Sequence, residues 1–174
     1  MDRFADCIAK GRLKKTEVDL SRVATELRAA LNELDRARAR FRGGVWDEVT
    51  TQSYFAIYRA ARAALLFHGY VDTNFYGLCI GVEHLLIEPG YLPAEAAVQV
   101  RDAKNLKDVV YNGGRSSRLE SGQMLQRALA FTRIVLEVLA LPEFESASRG
   151  LTLPETRERP GPARRPRGDD PSTQ

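Results

Sequence analysis

The densest chemistry in this chain lies between positions 101 and 111. Arg101, Lys104, Asn105, Asp108 and Tyr111 stand three or four residues apart. On a helix that spacing brings them to one face. Two cations, an amide and a tyrosine in one strip suit a phosphate or a base. The same strip also reads as a solvated helix face closed by a Lys104–Asp108 ion pair, and charge stripes often are no more than that. Lys107, Arg115 and Arg118 add positive charge nearby.

Other reactive side chains are few and scattered. The chain has two histidines and two cysteines, too few and too dispersed for a structural zinc site. His68 falls at the end of a helix, where it suits the helix dipole. His84 sits beside Glu83 and four positions before Glu88. A metal there needs a third ligand, so a surface or interface role is the better reading. Cys7 and Cys79 read as small hydrophobes in a reducing compartment. Gly77, Gly81 and Gly113-Gly114 form no phosphate loop, because no strand precedes them and no Gly-Lys-Ser/Thr follows. Nothing in this set calls for a cofactor.

The elements that carry these residues are helices. Apolar side chains recur at helical spacing through most of the chain, and period-2 alternation is almost absent. A first long helix is expected from an N-cap near Thr16 to Gly43-Gly44, with a stripe of Leu20, Ala24, Leu27, Leu31, Leu34 and Phe41. A second covers about 46 to 67. Its alanines at 56, 60, 61, 63 and 64 let neighbours approach closely, while Trp46, Tyr54 and Tyr58 read as core or interface aromatics. A third runs from about Asn74 to Ile87, a fourth from about Pro93 to Tyr111, and a fifth from about 118 to 140 with Leu125, Leu129, Thr132, Leu136 and Leu139 inward. Short connections make this an all-α chain, an antiparallel four- to five-helix bundle.

The composition fits that class. The 174 residues are 44% hydrophobic and 28% charged, with 26 basic and 23 acidic side chains and a net charge of +3. Full disorder is excluded, and no apolar run approaches the ~20 residues that span a bilayer. No secretory signal is seen, so a cytoplasmic protein is expected. The mild basicity permits nucleic acid without demonstrating it. The expected organisation is an N-terminal extension over 1–15, a bundle over 16–142 and a disordered Pro/Arg-rich tail over 143–174. Arg164-Arg165-Pro166-Arg167 in that tail either touches phosphates or only aids solubility.

The stretch from Gly44 to Leu66, with Ser53-Tyr54-Phe55-Ala56 and Ala60-Ala61-Arg62-Ala63-Ala64-Leu65-Leu66 at its centre, resembles the signature helix of the HEPN superfamily. Gly69-Tyr70 before Asp72-Thr73-Asn74, Gly90-Tyr91-Leu92-Pro93 and Lys104-Asn105-Leu106-Lys107-Asp108 are similar to later motifs of that family. The resemblance covers roughly 17 to 140. It implies a helical bundle that forms a homodimer and works in toxin–antitoxin or defence systems. The partners it implies are RNA or nucleotide and a small nucleotidyltransferase. In the family's ribonuclease toxins an arginine, a polar residue and a histidine cut RNA, often with a tyrosine two residues beyond the histidine. Here Lys104 stands at the arginine, Val109 at the histidine, and Tyr111 keeps the tyrosine; Asn74 stands where relatives often have histidine. Valine cannot exchange a proton, and lysine lacks the guanidinium fork.

The expectation is therefore a binding or regulatory module with a degenerate ribonuclease motif. RNA or nucleotide would be held by Arg101, Lys104, Asn105 and Tyr111. Two alternatives stand beside it. One is an active metal-independent ribonuclease using Lys104, Asn105, Asp108 and Tyr111. The other is a protein-interaction scaffold.

Overall fold

A computed structural model describes residues 2–151, and over them the chain is mostly helical. Four helices form the frame: α2 (Leu20–Gly43), α3 (Trp46–Phe67), α5 (Glu95–Tyr111) and α6 (Arg118–Leu139). Shorter helices α1 (Arg3–Ala9), α4 (Phe75–Val82) and α7 (Glu145–Gly150) complete it, with a π-helical turn at Glu83–Ile87 and a 3-10 turn at Pro142–Phe144.

The helix α3 is the hub, packing on α2, α4, α5 and α6. Its small side chains explain this position. Ala56, Ala60, Ala61, Ala63 and Ala64 are fully buried, so four helices can crowd round one thin rod. Those alanines are spent inside the chain and offer no seam for a second copy. The inward stripe expected for α6 is fully borne out: Leu125, Leu129, Thr132, Leu136 and Leu139 are all buried.

The start of α2 differs from expectation. Asp19, not Thr16, is the N-cap; its carboxylate accepts from the backbone N–H groups of Ser21 and Arg22. Leu20 is the first helical residue and half exposed, and the buried stripe runs instead through Val23, Ala24, Leu27, Ala30, Leu34 and Ala37. Thr16 N–H donates to the Gly69 carbonyl because it continues a strand pair.

That pair is β1 (Leu13–Lys15) against β2 (Tyr70–Asp72), antiparallel, with Leu13 opposite Asp72. Residues 2–15 are thus built into the bundle rather than extending from it. Asp2 caps α1, and Phe4, Cys7 and Leu13 join the core. The C-terminal boundary also moves. Arg28 pairs with Glu143 at 2.5 Å and lies over the Phe144 ring, Arg38 donates to the Gly150 carbonyl, and Phe144 and Leu151 are buried. The expected tail from 143 to 151 is therefore part of the fold, closed on α2 by arginines whose stems cover apolar surface. The remainder of that tail lies outside the described residues. No helix among the described residues is long and apolar enough to cross a membrane.

Candidate functional site

Three elements meet where α5 passes α4 and α3. Asn74 caps α4 by accepting from Gly77 N–H at 2.8 Å, which fixes Phe75 and Tyr76 in its first turn. Asn74, expected from the resemblance to stand at a position often held by histidine, serves here as a helix cap. The capped turn sets Phe75 beneath Lys104, whose ammonium is 5.6 Å from the ring centre.

The face of α5 is organised around Asp108. Its carboxylate takes both Lys104 and Lys107, the second at 2.6 Å. The hydrogen bonds from Lys104 and Lys107, in that order, hold its pKa below the usual carboxylate range. Lys107 also lies 5.0 Å from the Tyr54 ring centre and 5.1 Å from that of Tyr111. Two ammonium groups therefore rest on aromatic rings, an arrangement that holds cations without neutralising them. Tyr111 is 71% exposed and presents its ring to solvent. Tyr54 is buried, and burial pushes its hydroxyl up to about 12, which keeps it a neutral phenol at any physiological pH.

Arg101 points the other way, into a bridge. It donates to one oxygen of Glu83 at 2.9 Å while Arg3 from α1 donates to the other at 2.9 Å. Four cations (Arg3, Arg101, Lys104, Lys107) thus share two carboxylates, and the face keeps a positive surplus.

The predicted residues are only partly brought together. Lys104, Asp108 and Tyr111 converge, with Arg101 one turn away. Asn105 sits at the edge of that face, four residues from Arg101 and three from Asp108, but it is exposed and forms no side-chain hydrogen bond. Val109 is half exposed. Lys107, expected only as nearby charge, is central, because its ammonium reaches the ring of Tyr54 on α3. Phe75, Arg3 and Glu83 were missed altogether. A signal for Arg3 existed: Asp2 is an N-cap residue directly ahead of an apolar-periodic stretch. Nothing local foretells that Glu83 bridges residues 3 and 101.

The histidines and cysteines settle into supporting places. His68 Nδ1 lies 2.8 Å from the Ala64 carbonyl at the end of α3. His84 stacks on Phe4 with ring centres 3.9 Å apart and pairs with Glu88 at 2.7 Å, at the rim of a shallow pocket of about 220 Å³. No group of three or more His, Cys, Asp or Glu side chains among the described residues is placed to hold a metal ion. Cys7 and Cys79 are free and buried. Burial, against the opposing pull of Arg101, pushes the Cys79 thiol up to about 11. A raised thiol value favours the folded state below the ordinary thiol range, and that contribution is lost as pH rises toward about 11. A thiol reagent at neutral pH is expected to leave both cysteines unmodified in the folded chain and to label both in urea. Rapid labelling of the native protein would contradict the burial.

No protein-family model matches this chain, and no curated protein shows significant similarity to it.

Proposed function

We propose that this chain is a HEPN-like binding or regulatory module of a toxin–antitoxin or defence system, and that the α5 face contacts single-stranded RNA. In this reading the chain pairs with itself and with a small nucleotidyltransferase, as the resemblance implies. The observation that carries the RNA contact is the cation–aromatic floor, Lys104 over Phe75 and Lys107 between Tyr54 and Tyr111. Ammonium groups neutralise phosphates, and an exposed ring stacks a base of any identity. The reading is binding rather than cleavage because the proton-transfer position holds Val109, and neither Asn105 nor Asp108 replaces a histidine.

The test is fluorescence anisotropy with a labelled single-stranded RNA across a salt series. Binding is expected to weaken steeply with salt. Lys104→Ala with Lys107→Ala is expected to weaken it by about tenfold or more, and Tyr111→Ala by about tenfold, as for the loss of one stacked base. Affinity unchanged in both variants would reject the α5 face. RNA cleavage abolished by Lys104→Ala and by Tyr111→Phe would reject the binding-only reading. A light-scattering mass of one chain at micromolar concentration would reject self-pairing.

A further inference from the structure

The basic surface does not stop at α5. Arg12, between α1 and β1, sets its guanidinium 4.9 Å from the ring centre of Tyr76, the residue after Phe75. Tyr76 is 45% exposed. The nearby Tyr76 side chain, and after it Glu83, push the Arg3 guanidinium above its ordinary pKa, so both favour its charge. Glu83 carries Arg3 on one oxygen and Arg101 on the other, each at 2.9 Å. The two guanidiniums are therefore neighbours across a single carboxylate. A chain of contacts joins Arg12, Tyr76, Arg3, Glu83 and Arg101, and α5 carries it on to Lys104 and Lys107.

We infer that Arg3, Arg12 and Tyr76 form a second nucleotide-binding subsite, continuous with the α5 face, so that one single-stranded RNA runs from Tyr111 across Arg101 to Tyr76. The inference rests on the proposed RNA contact at α5 and adds the direction and length of the bound strand. Each end has the same two parts, an exposed tyrosine for a base and cations for the flanking phosphates. Arginine at the N-terminal end adds a flat guanidinium that already stacks on the ring, a surface on which a further base can lie. Two carboxylates lie within the track, Glu83 under Arg3 and Arg101 and Asp108 under Lys104 and Lys107, and Asp2 and Glu88 border the first of them; with Arg12 the cations still outnumber these carboxylates along the track. The elements that carry it are far apart in sequence. Only the packing of α1 and β1 against α4 makes one surface of them.

The experiment compares oligouridines of about four and about twelve nucleotides, spanning the range of single-strand site sizes. The variants are Arg12→Gln and, separately, Tyr76→Ala. Gln keeps the Cβ, and thermal melts by circular dichroism check the fold. The expected result is that Arg12→Gln binds the longer oligomer about threefold less tightly, with its salt slope reduced by about 0.7, as for one lost phosphate contact on a single strand. The short oligomer, held at α5, is expected to bind unchanged. Tyr76→Ala should weaken the longer oligomer alone. Equal affinity of wild type and variants for the longer oligomer overturns the inference and leaves the α5 reading intact. Equal losses on both lengths also overturn it, because Arg12 and Tyr76 then act on α5 itself. Failure of the wild type to bind either oligomer overturns both.

Discussion

Gly77→Ala is expected to lower stability by about 3 kcal/mol, a fall in melting temperature of roughly 6–12 °C for a domain of this size. A Cβ at position 77 would lie 2.1 Å from the Arg12 carbonyl oxygen and 2.8 Å from its carbon. That oxygen is main chain and is itself held, accepting from Thr73 N–H at 3.0 Å. Neither side can rotate away, so α4 must shift off the turn between α1 and β1. The shift strains the Asn74 cap on Gly77 N–H and moves Phe75 and Tyr76 with it. Gly11→Ala is the internal comparison. Gly11 adopts φ +67° but has nothing within 4 Å of a new Cβ, so only the backbone penalty of about 1 kcal/mol applies. A thermal melt of Gly77→Ala indistinguishable from wild type would refute the close approach of α4 to Arg12.

The second large effect is expected at Asp72. Its side chain is only 5% exposed and sits at the end of β2. It accepts from Arg62 Nε at 3.0 Å and from the Tyr58 hydroxyl at 3.3 Å, which ties the strand pair to α3. Removing one partner of a buried pair costs about 3–5 kcal/mol when the other charge is stranded. Arg62 is not wholly stranded, since it is partly exposed and Glu26 lies 3.6 Å away. Asp72→Ala should therefore cost about 2 kcal/mol, read as the free energy from urea denaturation. Asp72→Asn, which keeps an acceptor for Arg62, should recover about half of that. Glu145→Ala breaks the pair to Arg149, in which both side chains are more than 70% exposed, and should change stability by less than about 0.5 kcal/mol. Equal effects at positions 72 and 145 would show that Asp72 is not load-sharing between β2 and α3.

The helices were legible because each carries its own signals. Gly44 takes φ +75° and ends α2 where the paired glycines stand, and Ser117 with Glu120 forms a full capping box at the start of α6. The apolar stripe of α6 needs no partner to be read, since its period repeats over six turns. The strand pair was not legible. Three residues are too few for alternation to show, and Leu13–Lys15 and Tyr70–Asp72 pair across more than fifty residues. The C-terminal boundary was misplaced for a related reason. Pro142 reads as a stop, but it opens a 3-10 turn that carries Phe144 under Arg28 of α2 and leads on to the buried Leu151. At the site, spacing grouped Asn105 with Lys104. Spacing keeps Asn105 on the strip, four residues from Arg101 and three from Asp108, but spacing does not say which side chains find partners: Lys104 and Lys107 share Asp108, while Asn105 forms no side-chain hydrogen bond.

By itself, then, the order of residues determines the helical class, most helix ends, the apolar stripes and the cluster of cations on α5. These depend on interactions within a few residues, and such interactions are written in local order. The tertiary structure alone decided that Phe75 lies under Lys104, that Tyr54 meets Lys107, and that Glu83 joins Arg3 to Arg101. Each of these is a meeting of side chains from separate elements. Such meetings follow from how the thin, alanine-lined α3 lets its neighbours close round it and from how α1 and β1 fold back onto α4.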